Sequence, residues 1–240
     1  MVRMVPDKTG RFAERPHYSA QELDRECERI VSALLRGRRG SVDFPVRTDD
    51  LEVLIEQHES ELDAYADLSD FGDDVEGMTE FFPEGRTKVS FSEKLANDPR
   101  RENRLRTTLA HEFGHVYFHR HLWAEKFIAG RLFDRKSTEN KAICKRDSII
   151  SATQYDWMKW QAGYVSGAIL MPASQLRRLV SDYCGPRGLH GSIHQASEDG
   201  CALIRATIDR FAVSECQPAW KRAPRSAWKR DPSGGWVRWA

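Results

Sequence analysis

Apolar residues recur at helical spacing in several separate stretches of the chain. Residues 19–22 have the form of a capping box, so we expect the first helix to begin there and to stop at Gly37. A second helix is expected from a cap at residues 48–50, with an apolar face made of Leu51, Leu54, Ile55 and Leu62. Residues 1–17 are polar and interrupted by prolines, which predicts a flexible arm.

The middle of the chain combines strand and helix patterns. Residues 78–82 and 86–92 are β-prone and are separated by Pro-Glu-Gly, which predicts a hairpin. Helical spacing returns over residues 102–119 and 155–170, and two shorter helices are expected near residues 176–180 and 202–211. We therefore predict one α+β domain over residues 18–216, in which helices pack on a small, mainly antiparallel sheet and helix 102–119 faces helix 155–170.

Composition narrows the classes of function. The 240 residues are 40% hydrophobic and 30% charged, which is typical of a globular protein. Lys and Arg (37) balance Asp and Glu (36), so the net charge of +1 gives no general attraction to nucleic acid or to an anionic membrane. Five widely spaced cysteines without a CxxC pair and the lack of a long apolar stretch favour a cytoplasmic location.

The last residues, 217–240, differ from the rest of the chain. They form a basic tail with four tryptophans, which could stack on bases or pack on the domain. Packing is the interpretation we adopt, and we expect no direct binding of nucleic acid and no membrane partner.

The chemically informative motif is His-Glu-Phe-Gly-His at residues 111–115, an HExxH sequence inside the predicted helix 102–119. Positions i and i+4 share one face of a helix, so His111 and His115 can bind one zinc ion. Glu112 lies on the flank and can take a proton from a water molecule that zinc has acidified. This spacing predicts a zinc-dependent peptidase with Glu112 as its catalytic base.

A catalytic zinc site usually has a third protein ligand, and the nearby histidines do not supply it. His121 has the spacing of a metzincin ligand, but Phe118 stands where that pattern needs glycine. His119 is ~12 Å along the helix axis from His111, too far to share an ion with it. We expect His119 and His121 to be helix-end or surface residues. Cys144 could approach the metal as an inhibitory or redox-sensitive thiolate, although a structural role is the expectation for it.

Two stretches of the chain resemble the ImmA/IrrE family of metallo-endopeptidases. One is residues 103–115 around the HExxH motif, and the other is residues 157–172, which end in the family's Leu-Met-Pro signature. Residues 76–79 and the strand after them match the family's layout. The resemblance covers about residues 20–215. It implies a zincin-like core, a zinc cofactor and cleavage of a regulatory protein such as a helix-turn-helix transcriptional repressor.

The chain departs from this family at the third zinc ligand. The family has a glutamate thirteen residues before the closing proline, and Lys159 stands there, while Gly163 replaces the usual asparagine. A lysine ammonium has no lone pair to give to a metal. We expect Asp156, three residues before Lys159, as a substitute ligand in an active enzyme. The alternatives are a catalytically degenerate relative that binds partners without cleaving them, and an incidental lysine in an otherwise active enzyme.

Overall fold

A computed structural model describes residues 3–58, 60–133, 140–145 and 156–214. The described chain has α+β architecture, as predicted. Its strands are β1 Arg3–Pro6, β2 Glu14–His17, β3 Ser60–Ala66, β4 Val75–Phe81, β5 Thr87–Ser92 and β6 Lys141–Lys145. Its α-helices are α1 Ala20–Arg39, α2 Thr48–Glu56, α3 Glu93–Ala96, α4 Glu102–Phe133, α5 Trp157–Leu170, α6 Ala173–Cys184 and α7 Glu198–Phe211. The basic tail over residues 217–240 lies outside the described residues.

The main sheet has the strand order β3-β5-β4-β6. The predicted hairpin is confirmed, because β4 and β5 pair antiparallel with Met78 opposite Ser90. Strand β6 also pairs antiparallel with β4, whereas β3 runs parallel to β5. The sheet is therefore mixed, and the prediction of antiparallel pairing holds for two of its three strand pairs. Strand β6 was not predicted, since its five residues follow a charged stretch. Their strand conformation depends on the pairing with β4.

The first helix begins as predicted and ends later. The Ser19 side chain accepts from the Glu22 backbone, and the Ser19 backbone N–H donates to the Glu22 carboxylate at 2.8 Å, which completes the capping box. The helix continues through Gly37 to Arg39 and is capped by Gly40, whose φ of 73° lies in the left-handed region that glycine adopts easily. The predicted stop at Gly37 is wrong, because Gly40 provides the required backbone conformation.

The predicted apolar face of the second helix extended to Leu62, beyond the end of the observed helix. Helix α2 ends at Glu56, and Leu62 belongs to β3, where it pairs with Val89 of β5. Leu62 therefore contributes to the core from the sheet. Leu51, Leu54 and Ile55 occupy the buried face of α2, as predicted.

Helix α4 extends from Glu102 to Phe133, well beyond the predicted limit of residue 119. Leu122 and Trp123 continue the helical spacing and are buried in a second apolar cluster. The Trp123 ring stacks on Phe81 of β4 with ring centroids 5.2 Å apart. Burial against the sheet thus stabilises the additional turns. Helices α5, α6 and α7 correspond to the other three helices predicted in this half of the chain.

The N-terminal segment corrects the prediction of a flexible arm over residues 1–17. Its described residues form the β1–β2 hairpin, with Met4 opposite Pro16. Asp7 accepts a hydrogen bond from Trp157 Nε1 at 3.0 Å, and the Phe12 ring meets the Trp123 ring edge-on. The polar composition concealed these long-range contacts, which attach the hairpin to α4 and α5.

The HExxH helix and α5 face each other, as predicted, at a point of close approach. A Cβ atom at Gly114 of α4 would lie 3.0 Å from Ala162 Cα and 3.3 Å from Val165 Cβ, both on α5. Glycine at this position lets the two helix backbones come together in the main core. This contact determines how α5 is positioned beside the HExxH motif.

We expect Gly114→Ala to lower the free energy of unfolding by ~1–3 kcal/mol, because the added methyl group overpacks the α4–α5 contact. Gly130→Ala is the matched control on the same helix, since no atom of the described residues lies within 4 Å of the added carbon. The control should be neutral or stabilising by up to ~1 kcal/mol, because alanine has the higher helix propensity. Urea unfolding of both variants measures the difference, and equal stabilities would contradict close packing at Gly114.

Candidate metal centre

The HExxH motif lies in the buried part of α4. His111, Glu112 and His115 are exposed by only 1%, 0% and 2%. The rings of His111 and His115 are neighbours, with centroids 5.1 Å apart and planes at 69°. The motif therefore lies on a helix, as predicted, with its two imidazoles side by side in the interior of the protein.

The carboxyl group of Glu112 is oriented by strand β4. Its Oε2 accepts a hydrogen bond from Thr79 Oγ1 at 2.6 Å. A Cβ atom at Gly77 would lie 2.7 Å from Thr108 Cγ2 and 2.9 Å from Glu112 Oε1, so only glycine lets β4 come this close to α4. Burial raises the pKa of Glu112 to about 8, although Thr79, Cys144 and Lys159 lower it. Glu112 is therefore a stronger base than an exposed glutamate.

A chain of hydrogen bonds behind His115 determines its tautomer. His119 Nε2 lies 2.9 Å from Gln161 Oε1, and His119 Nδ1 lies 2.9 Å from His115 Nδ1. Because the amide oxygen only accepts, His119 Nε2 carries hydrogen, and the other nitrogen of a neutral ring must accept. Burial lowers the pKa of His119 to about 4, so the ring is neutral at pH 7. His115 Nδ1 is then the donor, and its Nε2 retains a lone pair for a metal.

This arrangement corrects the prediction for His119, which was expected at a helix end or on the surface, whereas the prediction for His121 is confirmed. His119 is completely buried at 0% exposure and bridges α4 to α5. His121 does lie at an exposed position of α4. The spacing of four residues from His115 indicated the shared face, but the expected end of the helix at residue 119 concealed the burial of His119.

Strand β6 brings Cys144 to the same place. Cys144 pairs with Gly77 of β4 and is 1% exposed. Ligand atoms of Cys144, His111 and Glu112 all lie within 4.8 Å of one another, a group that could hold a metal ion and that does not include His115. Burial, together with the adjacent Glu112, raises the pKa of the Cys144 thiol well above its usual value. Cys144 was considered either as a structural cysteine or as one that approaches the metal. Its position beside His111 and Glu112 favours the second role.

Asp156 was expected as a substitute third ligand of the metal, but the structure places it at the start of α5. Its side chain caps α5 by accepting from the Lys159 backbone at 3.5 Å, and it forms an ion pair with Arg11 at 3.4 Å. It does not belong to the group formed by His111, Glu112 and Cys144. The first turn of α5 thus gives Asp156 a structural role, because its carboxylate satisfies the free N–H at the start of the helix.

Lys159 is close enough to affect the electrostatics of the motif. Its Nζ lies 4.0 Å from Asp156 Oδ2, and its side chain is 32% exposed. Burial, His119 and the charge of Lys159 lower the pKa of His111 to about 3. Burial, the neighbouring histidines and the charge of Lys159 also hold the pKa of His115 well below its usual value. The positive charge of Lys159 therefore acts on the site and disfavours further cations there.

The arginines that precede the motif have structural partners. Arg101 and Arg104 form ion pairs with Glu76, which is 4% exposed on β4. Arg106 donates to the carbonyl oxygens of Phe211 and Ala212, both at 2.8 Å. These contacts attach the first turns of α4 to the sheet and to the end of α7.

The donor set suits a zinc ion. Two buried atoms of the site, His111 Nδ1 and Glu112 Oε1, lack a hydrogen-bond partner among the described residues. Burying such atoms without a partner is costly, so a ligand that satisfies them would stabilise the site. Imidazole nitrogen, carboxylate oxygen and thiolate sulfur are the donors that zinc takes in proteins. The residues present therefore fit a zinc site around His111.

No family model and no curated protein matches the chain. Within the described ranges, no helix is both long and apolar enough to cross a membrane.

Proposed function

We propose that this chain is a zinc-dependent endopeptidase of the ImmA/IrrE type that cleaves a regulatory protein, with a helix-turn-helix transcriptional repressor as the expected substrate. One observation carries the proposal: Glu112 of the HExxH motif is completely buried beside His111, and its Oε2 accepts a hydrogen bond from Thr79. The packing of α4 against β4 and α5 supports a zincin-like core.

The roles follow from the positions of the side chains. His111 and His115 would hold the metal, and His119 keeps His115 in the tautomer that can bind it. When bound, zinc polarises the substrate carbonyl and acidifies water. Glu112 takes the proton from the attacking water and passes it to the leaving amine, while Thr79 maintains the orientation of its carboxylate.

A second candidate function is a protein-binding regulatory module that has lost catalysis. Two observations favour it: the HExxH side chains are at most 2% exposed, and Lys159 occupies the family's third-ligand position. A polypeptide can reach Glu112 only after the residues covering it move. The two functions differ in metal content and in cleavage, so both can be measured on the same purified protein.

Metal analysis combined with a cleavage assay tests the proposal. Purified protein should contain about one zinc per chain and should cleave a co-encoded helix-turn-helix regulator. His111→Ala should lower both the zinc content and the cleavage, because it deletes a ligand. His121→Ala is the control, since His121 is exposed on the same helix. Binding of the regulator without zinc and without cleavage would favour the regulatory module instead.

His119 gives a further prediction for the metal site. His119→Phe removes the acceptor for His115 Nδ1 and should weaken zinc binding by about 10–100-fold, the usual effect of losing such a partner. His119→Asn returns an oxygen acceptor and should recover much of the affinity. Competition with a zinc-binding dye measures the affinities. Equal weakening by both variants would indicate a packing role for His119 and contradict the role in positioning His115.

A further inference from the structure

Strand β6 presents a single thiol to the HExxH motif. Ile143 packs with a separate apolar cluster around Met78, and the ammonium of Lys145 forms an ion pair with Asp74 at 3.1 Å. Since adjacent strand residues point to opposite faces, Cys144 faces α4 when its two neighbours do not. Its pairing with Gly77 places it where β4 lies closest to Glu112.

We propose that Cys144 is the third protein ligand of the metal, added to the two histidines of the motif, of which His111 belongs to the same group as Cys144 and His115 does not. This inference rests on the metal site of the proposed function. The sulfur lies within 4.8 Å of ligand atoms of His111 and Glu112, and His111 Nδ1 is a buried atom with no hydrogen-bond partner among the described residues. Cys144 itself is 1% exposed, so its thiol is aimed into the protein at the place where the other donors meet.

The other candidates for a third ligand are excluded by their positions or chemistry. Lys159 is a cation and repels a metal ion, and Asp156 is engaged at the start of α5. Glu112 already gives one oxygen to Thr79 and is needed as the base. A ligand set of two imidazoles and one thiolate leaves Glu112 available and leaves a coordination position open for water or substrate.

The charge of the site also favours a thiolate. As the sulfur–metal bond forms, the S–H bond breaks and its proton leaves to solvent, so the ligand carries one negative charge. That charge opposes the ammonium of Lys159, whose field reaches His111, Glu112 and His115. A thiolate at Cys144 thus replaces both the ligand and the negative charge that the family's glutamate provides.

Cobalt substitution tests this assignment directly. Protein loaded with one equivalent of Co²⁺ should show a thiolate-to-cobalt charge-transfer absorption in the near ultraviolet. We expect Cys144→Ser to lose this absorption and to bind Co²⁺ at least about tenfold more weakly. Cys27→Ser is the matched control, because Cys27 is another completely buried thiol, located in α1, and this variant should retain the absorption.

The possible results separate the two proposals. A wild-type protein that binds Co²⁺ with no charge-transfer absorption, or a Cys144→Ser variant that retains it, would overturn the role of Cys144 and leave the proposed function intact. A wild-type protein that binds neither Co²⁺ nor Zn²⁺ would overturn both. If Cys144→Ser does not fold, X-ray absorption of the zinc-loaded wild type decides: one sulfur at ~2.3 Å supports the proposal, and only nitrogen and oxygen contradict it.

Discussion

Glu112→Gln should reduce cleavage of the protein substrate by about 10²–10⁴-fold while the zinc content stays near that of the wild type. The amide cannot accept a proton at neutral pH, so the step that needs a base is lost. The fold should be retained, because Thr79 can still donate a hydrogen bond to the amide oxygen.

Cleavage rates measured with zinc content on the same samples check this expectation. Glu125→Gln is the matched control, since Glu125 is an exposed glutamate on the same helix and should behave like the wild type. A Glu112→Gln variant that still cleaves at the wild-type rate would exclude Glu112 as the base. Loss of zinc together with activity would show that Glu112 acts as a ligand.

Lys159→Glu should raise zinc affinity at least about tenfold, equivalent to ~1.4 kcal/mol. The substitution removes an ammonium whose charge lowers the pKa of His111, Glu112 and His115, and it supplies the carboxylate that the resembled family uses as a ligand. It should also increase cleavage, provided that zinc loading limits activity in the wild type.

Lys159→Met separates the two parts of this effect, because methionine removes the charge without adding an oxygen donor. Competition titrations should place its zinc affinity between those of the wild type and Lys159→Glu. If Cys144 is the third ligand, relief of repulsion should account for most of the gain, and the two variants should differ little. Unchanged affinity in both variants would mean that Lys159 does not act on the metal site.

The local patterns of the sequence predicted much of the fold. The capping box at Ser19, the β4–β5 hairpin and the helix that carries HExxH all depend on residues within a few positions of one another. The same reason applies to the pairing of His111 and His115, since a helical spacing of four residues places them side by side. These parts of the site follow from short-range geometry alone.

The rest of the site depends on contacts between residues that are far apart in the chain. Cys144 meets Glu112 only because β6 pairs with β4, and the separation of 42 positions between His119 and Gln161 conceals their hydrogen bond. Periodicity reports which face of an element is apolar but does not indicate which element covers it. By itself the sequence determined the HExxH pair and its helix, whereas tertiary packing decided that Cys144 and His119 join them and that Asp156 caps α5.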